Sequence, residues 1–111
     1  GDVADLDFPD NYFDLIICVG VFECTGFEIA VAAINKIRKI LCKKGRGIFI
    51  FASNHDFRIL GTNPLNLHGY TRDEVDKMFD DFFSSTYVDT YSTTYEGGIR
   101  EQRDWLVTIV K

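Results

Sequence analysis

Cysteine is scarce and odd in number: Cys18, Cys24 and Cys42 are the only three in 111 residues. That count and spacing build neither a disulfide framework nor a zinc site, so a reducing, cytoplasmic setting is the simplest expectation. Two histidines add little to the ligand inventory, and no metal is expected. Basic residues are in deficit, with 12 Lys and Arg against 17 Asp and Glu. The resulting net charge of −5 argues against nucleic acid or an anionic membrane as partner. No apolar run approaches the ~18 residues of a transmembrane helix. No basic segment leads into an apolar one at the start, so no signal peptide is expected. Repeats, linkers and low-complexity stretches are absent. So is a dinucleotide fingerprint, since Gly45-Arg46-Gly47 follows a predicted helix rather than a strand. Asp5, Asp7, Asp10 and Asp14 lack the turn glycine and closing glutamate of a calcium loop.

What is present is a core-forming composition, 46% hydrophobic and 14% aromatic. A chain of this length is one domain, spanning 1–111, or part of one. Phe13 to Val21 is almost continuously apolar and predicts a strand buried on both faces. Thr25-Gly26-Phe27-Glu28 reads as a capping box with Thr25 as N-cap. The helix it opens carries Ala30, Ala33, Ile34, Ile37, Ile40 and Leu41 on one stripe, and Lys43-Lys44-Gly45 is expected to close it. A second apolar strand covers 47–52, and residues 53–70 read as a long loop. Thr71-Arg72-Asp73-Glu74 is a second capping box, before a helix with Val75, Met78, Phe79 and Phe82 at helical spacing. Residues 85–95 and 105–110 read as two strands joined by a turn at Gly97-Gly98, hence an antiparallel hairpin.

Residues 2–17, Asp-Val-Ala-Asp-Leu-Asp-Phe-Pro-Asp-Asn-Tyr-Phe-Asp-Leu-Ile-Ile, carry the most specific pattern. The stretch resembles the D-x-x-x-L-x-F-x-D-x-x-F-D-x-[IV] signature of class I S-adenosylmethionine-dependent methyltransferases, especially the small-molecule type. In that family the signature follows the third strand, so the resemblance implies the C-terminal half of such a domain. The implied fold is α/β: a partial Rossmann-like sheet of about four strands with an antiparallel C-terminal hairpin and two main helices. The implied activity is methyl transfer from S-adenosylmethionine to a small-molecule acceptor. The alternative is a non-catalytic methyltransferase-like subunit that completes or regulates a partner.

The resemblance also implies roles. Asp2 and the backbone of Val3 map onto the family's adenine contacts. Val19 and Gly20 map onto the segment lining the cofactor's methionine part, where a glycine admits close backbone approach. Phe22 reads as plain core. Cys24 has no neighbouring histidine or cation and is not a nucleophile candidate. In-line displacement from a sulfonium needs alignment, and a base only if the nucleophile holds a proton. His55 and His68 are the candidate catalytic residues, with Asp56 and Tyr70 near them in sequence. The family's glycine-rich loop and its ribose-binding acid do not occur in this sequence. The strand at 13–21 then lacks its natural neighbour. Its edge is expected to be covered by self-association or by a missing N-terminal half.

Overall fold

The computed structural model describes residues 8–60, 63, 66–79, 85–95 and 100–111. Strand β1 spans Phe13–Val19, and a short 3-10 turn follows at Phe22–Cys24. Helix α1 spans Phe27–Ile40 and β2 spans Leu41–Ala52. The short α2 at Phe57–Leu60 and α3 at Arg72–Phe79 precede the strands β3, Ser85–Tyr95, and β4, Arg100–Val110. The four strands form one sheet in the order β1-β2-β4-β3. β1 runs parallel to β2, and β4 is antiparallel to both β2 and β3. The last strand is therefore inserted between β2 and the penultimate one, as the class I methyltransferase order requires. The α/β expectation holds, with one short helix more than the sequence suggested.

Register decides which side chains meet the helices. Phe49 pairs with Val107 and Phe51 with Trp105, so these four share one face. On that face they join Ala30, Ala33, Ile34 and Ile37 of α1 and Val75, Met78 and Phe79 of α3 in one buried cluster. The apolar stripe of α1 is buried as its periodicity predicts. Phe22 is 1% exposed and its ring stacks on Phe49 at 5.8 Å, so it belongs to the core.

The opposite face is open. Across it lie Ile17, Ile48, Thr108 and Tyr87 in one row, and Val19, Ile50, Leu106 and Asp89 in the next. Leu15, Ile17, Val19 and Tyr87 are 50%, 57%, 60% and 75% exposed. This corrects the reading of β1 as buried on both faces. Only Ile16 and Cys18 lean on the core, and β1 is an edge strand. Its unbroken apolar character is that of a parallel strand covered on both sides, and among the described residues only one side is covered.

Two helix boundaries also differ. The N-cap of α1 is Gly26, not Thr25, whose hydroxyl instead donates to the carbonyl of Phe22 at 3.1 Å. The 3-10 turn takes up the threonine that would otherwise cap. At the other end α1 stops at Ile40, and the chain enters β2 at once. The pairing jumps from Phe13–Leu41 to Leu15–Arg46, so the residues between bulge out of the ladder. The left-handed residue there is Lys44, with φ 67°, not Gly45. Gly45 serves packing instead, because a Cβ on it would lie 2.8 Å from the Cys42 carbonyl oxygen. The box at Thr71 is formed as read. The Glu74 N–H donates to Thr71 Oγ1 at 3.2 Å, and the Thr71 N–H to Glu74 Oε1 at 3.0 Å. Phe82 and the Gly97-Gly98 turn lie outside the described residues.

Candidate functional site

β1 and β2 are parallel, so their carboxyl ends fall at one end of the sheet, where open α/β sheets bind ligands. β1 ends at Val19, and Gly20 then takes φ 69° while its N–H donates to the Ile50 carbonyl at 2.9 Å. Among the described residues beyond its chain neighbours, a Cβ on Gly20 would meet nothing within 4 Å. Conformation, not crowding by protein, is what demands glycine here, and the backbone faces open space. Asp2 and Val3 lie outside the described residues.

The turn after Gly20 is pinned from the far side of the chain. The Tyr70 hydroxyl donates to the Phe22 carbonyl at 2.9 Å, and the His68 N–H donates to the Glu23 carbonyl at 2.8 Å. His68 thus sits directly against the segment that ends β1. Its Nε2 is 3.0 Å from Glu74 Oε2, and its ring meets Tyr70 edge-on at 4.4 Å. An ionised carboxylate only accepts, so Nε2 carries the proton in this pair. Glu74 performs two tasks at once, since its other oxygen closes the capping box. Glu74 does not figure in the sequence reading of the site, and the neighbouring Glu23 is 5% exposed. Glu74 was legible there only as a helix cap.

Tyr70 is not a base. It is fully buried, and burial pushes its hydroxyl up to about 12. Asp56 is likewise structural: it is fully buried, and its Oδ2 accepts the Arg103 N–H at 2.7 Å.

His55 belongs to a second wall. It is exposed beyond the end of β2, and its N–H donates to Ser53 Oγ at 3.2 Å. It borders a cavity of about 270 Å³ shared with Ser53, Thr90, Ser92, Arg103 and Trp105. Thr90 pairs with Trp105 and Ser92 with Arg103, so strand register sets this grouping. No single segment carries it, which is why it escapes a linear reading. The two candidate histidines therefore lie on different walls of the same sheet end, one beside Glu23 and one beside Ser53. Among the described residues, no cluster of three or more His, Cys, Asp or Glu could hold a metal ion.

Comparison with known proteins bears on the fold. Residues 1–49 match the family model described as a methyltransferase domain. An uncharacterized protein of Methanocaldococcus jannaschii is 31% identical over 95 residues, which is 78% of this chain and 39% of that protein. A S-adenosylmethionine-dependent methyltransferase of Methanosarcina mazei superposes with TM-score 0.75 at 14% identity, covering 100% of this chain and 65% of that one. A chain from a Haloferax volcanii complex of a methyltransferase with a methyltransferase activator gives TM-score 0.66 at 14% identity, covering 98% of this chain and 58% of that one. The chain thus spans well under half of the curated relative and about three-fifths of these two structures. The resemblance read from residues 2–17 stands, and the fold is that of the C-terminal portion of a class I methyltransferase domain. Among the described residues, no helix is long and apolar enough to cross a membrane.

Proposed function

We propose that residues 1–111 form the C-terminal portion of an S-adenosylmethionine-dependent methyltransferase acting on a small molecule in the cytoplasm. The observation that carries this reading is the family match over residues 1–49, a span that includes the end of β1 at Val19 and the left-handed Gly20. The open space at Gly20 fits backbone approach by a ligand. Val19 and Gly20 would line the methionine part of S-adenosylmethionine, and Asp2 with Val3 would hold the adenine. The cofactor supplies a methyl group on a sulfonium, activated for displacement. The chain's own part is to bind, to align and to take up a proton where the acceptor holds one. His68 is the better placed base, being oriented by Glu74 beside the Glu23 turn, whereas His55 is suited to hold the acceptor.

The glycine-rich loop that would close the pocket is not in this sequence, so the site needs further polypeptide. The open apolar face and the β1 edge suit that role, whether a second copy or an N-terminal half fills it. The activator complex from Haloferax volcanii sets a precedent for a methyltransferase that works with a partner. A non-catalytic subunit with the same fold is the second reading, and the same open face favours it. Calorimetric titration with S-adenosylhomocysteine separates the two. Saturable binding that weakens in Asp2→Ala upholds the enzyme, and no binding, alone or with the covering partner, leaves the subunit.

A further inference from the structure

The net charge of −5 averages over two unlike parts of the chain. Between Ile29 and His55 there are six basic residues and no acidic one, so all 17 Asp and Glu lie outside that block. The fold brings four exposed members of it, Lys39, Lys43, Lys44 and Arg46, to the end of α1 and the bulge that follows. Two exposed carboxylates, Asp10 and Asp14, offset part of this charge and leave the described surface there positive. This is the end of the sheet where β1 begins. It lies roughly 20 Å from Gly20, the length of a seven-residue strand.

An aromatic cluster stands beside these cations. Phe8 and Tyr12 stack at 5.9 Å with their rings 19° apart, and Phe13 meets them edge-on at 4.9 and 4.7 Å. Phe8 and Tyr12 are 45% and 59% exposed, so much of each ring meets solvent. Backbone bonds fix the two groups side by side. The Asn11 N–H donates to the Lys39 carbonyl at 2.9 Å, and the Tyr12 N–H to the Ile40 carbonyl at 2.7 Å. The Lys111 ammonium donates to the Leu41 carbonyl at 2.7 Å and to Asn11 Oδ1 at 3.3 Å. Both turns are thus held before any ligand arrives.

Lys44 adds an independent sign of use. It holds φ 67°, a region that glycine enters freely and lysine only at a cost. A side chain kept where glycine would relieve the strain points to a role for that side chain.

We infer that this end of the domain binds single-stranded nucleic acid, with Lys39, Lys43, Lys44 and Arg46 meeting phosphates and a base stacking on the Phe8–Tyr12 pair. Cations beside an exposed aromatic stack hold such strands without reading sequence. An anionic bilayer fits less well. Sinking Phe8 and Tyr12 into it would carry along Asp10, which lies between them in the chain, whereas a strand laid across the surface makes no such demand. The inference is independent of the methyltransferase reading, because it uses nothing at the Gly20 end.

The test follows the anisotropy of a fluorescein-labelled oligouridylate of about a dozen residues as the chain is added. Saturable binding is expected, weakening roughly tenfold or more between about 50 and 200 mM salt, as neutralisation of about three phosphates requires. Tyr12→Ala should weaken it at least ~5-fold through loss of the stack. Lys44→Gly should weaken it and flatten the salt dependence, yet melt no lower than the parent chain, since the left-handed strain is relieved. No saturable binding, or binding that either variant retains in full, would overturn the inference. So would equally tight binding of inorganic polyphosphate, which has no base to stack. Binding to phosphatidylserine vesicles in place of the oligonucleotide would overturn it in favour of a membrane surface.

Discussion

The indole N–H of Trp105 donates to the main-chain carbonyl of Tyr70 at 2.7 Å, while the hydroxyl of Tyr70 donates to the carbonyl of Phe22 at 2.9 Å. One tyrosine thus ties the last strand to the turn that ends the first, across 48 residues of sequence on one side and 35 on the other. Removing the hydroxyl leaves a buried carbonyl with one donor fewer. Tyr70→Phe should cost about 1–3 kcal/mol, read from denaturant unfolding followed by Trp105 fluorescence.

The same burial makes a pH prediction. Burial pushes the folded Tyr70 hydroxyl up to about 12, above the ordinary tyrosine value of 10.0. Desolvation by burial is the main cause, and the carboxylates of Glu74 and Glu23 act in the same direction. A group whose folded value is raised contributes stability that is intact below its unfolded value and lost as pH climbs toward the folded one. Stability should therefore fall between about pH 10 and 12. Tyr70→Phe should flatten that slope. An unchanged slope in the variant would assign the alkaline loss to other groups.

The reciprocal bonds of Thr71 and Glu74 cap an eight-residue helix that also carries the exposed pairs Arg72–Asp76 and Lys77–Asp73. Thr71→Ala should cost about 1 kcal/mol. Glu74→Gln keeps an acceptor for the Thr71 N–H, so thermal melting should barely move. It replaces the charged partner of His68 with a neutral amide, so any methyl transfer that uses His68 should slow and change its pH profile. A variant that melts early without a change in profile would reduce Glu74 to a cap.

Much of the fold was legible because its signals are local. The stripe of α1 and the Thr71 box are periodicities and short-range hydrogen bonds, and both appear where the sequence puts them. The failures occur where the outcome is decided at a distance. Gly45 was read as a left-handed cap, but the bulge between β1 and β2 shifts that conformation to Lys44 and leaves Gly45 at a crowded contact. Thr25 loses its capping role because the Phe22 carbonyl lies within its reach. The site follows the same rule. Val19 and Gly20 are proposed from a contiguous stretch, whereas the Ser53–Arg103 cavity and the His68–Glu74 pair exist only after the strands register and the loop folds back.

Gly20 separates conformational strain from crowding. Its φ of 69° disfavours any side chain, yet among the described residues, its chain neighbours aside, nothing lies within 4 Å of where a Cβ would be. Gly20→Ala should cost about 1–2 kcal/mol from the left-handed backbone alone. Gly20→Asn should cost less, since asparagine tolerates that region. If the open space holds cofactor, Gly20→Asn should fold near normally and still lose affinity for S-adenosylhomocysteine. Full affinity in that variant would move the cofactor away from Gly20.

The open face of the sheet makes the final prediction. Ile17 is 57% exposed on its edge strand, flanked by Leu15 and Val19 at 50% and 60%. An apolar parallel pair left bare on one side associates with whatever covers it. The chain by itself should sediment as more than a monomer at micromolar concentration. Ile17→Lys should abolish this while leaving the circular dichroism spectrum intact, because the position touches none of the buried cluster around Phe49 and Val107. If the cover is instead an N-terminal polypeptide, adding it should restore a discrete heterodimer with the parent chain and not with Ile17→Lys. A parent chain that stays monomeric and soluble with this face bare, and that ignores such a polypeptide, would show that the apolar face is no interface.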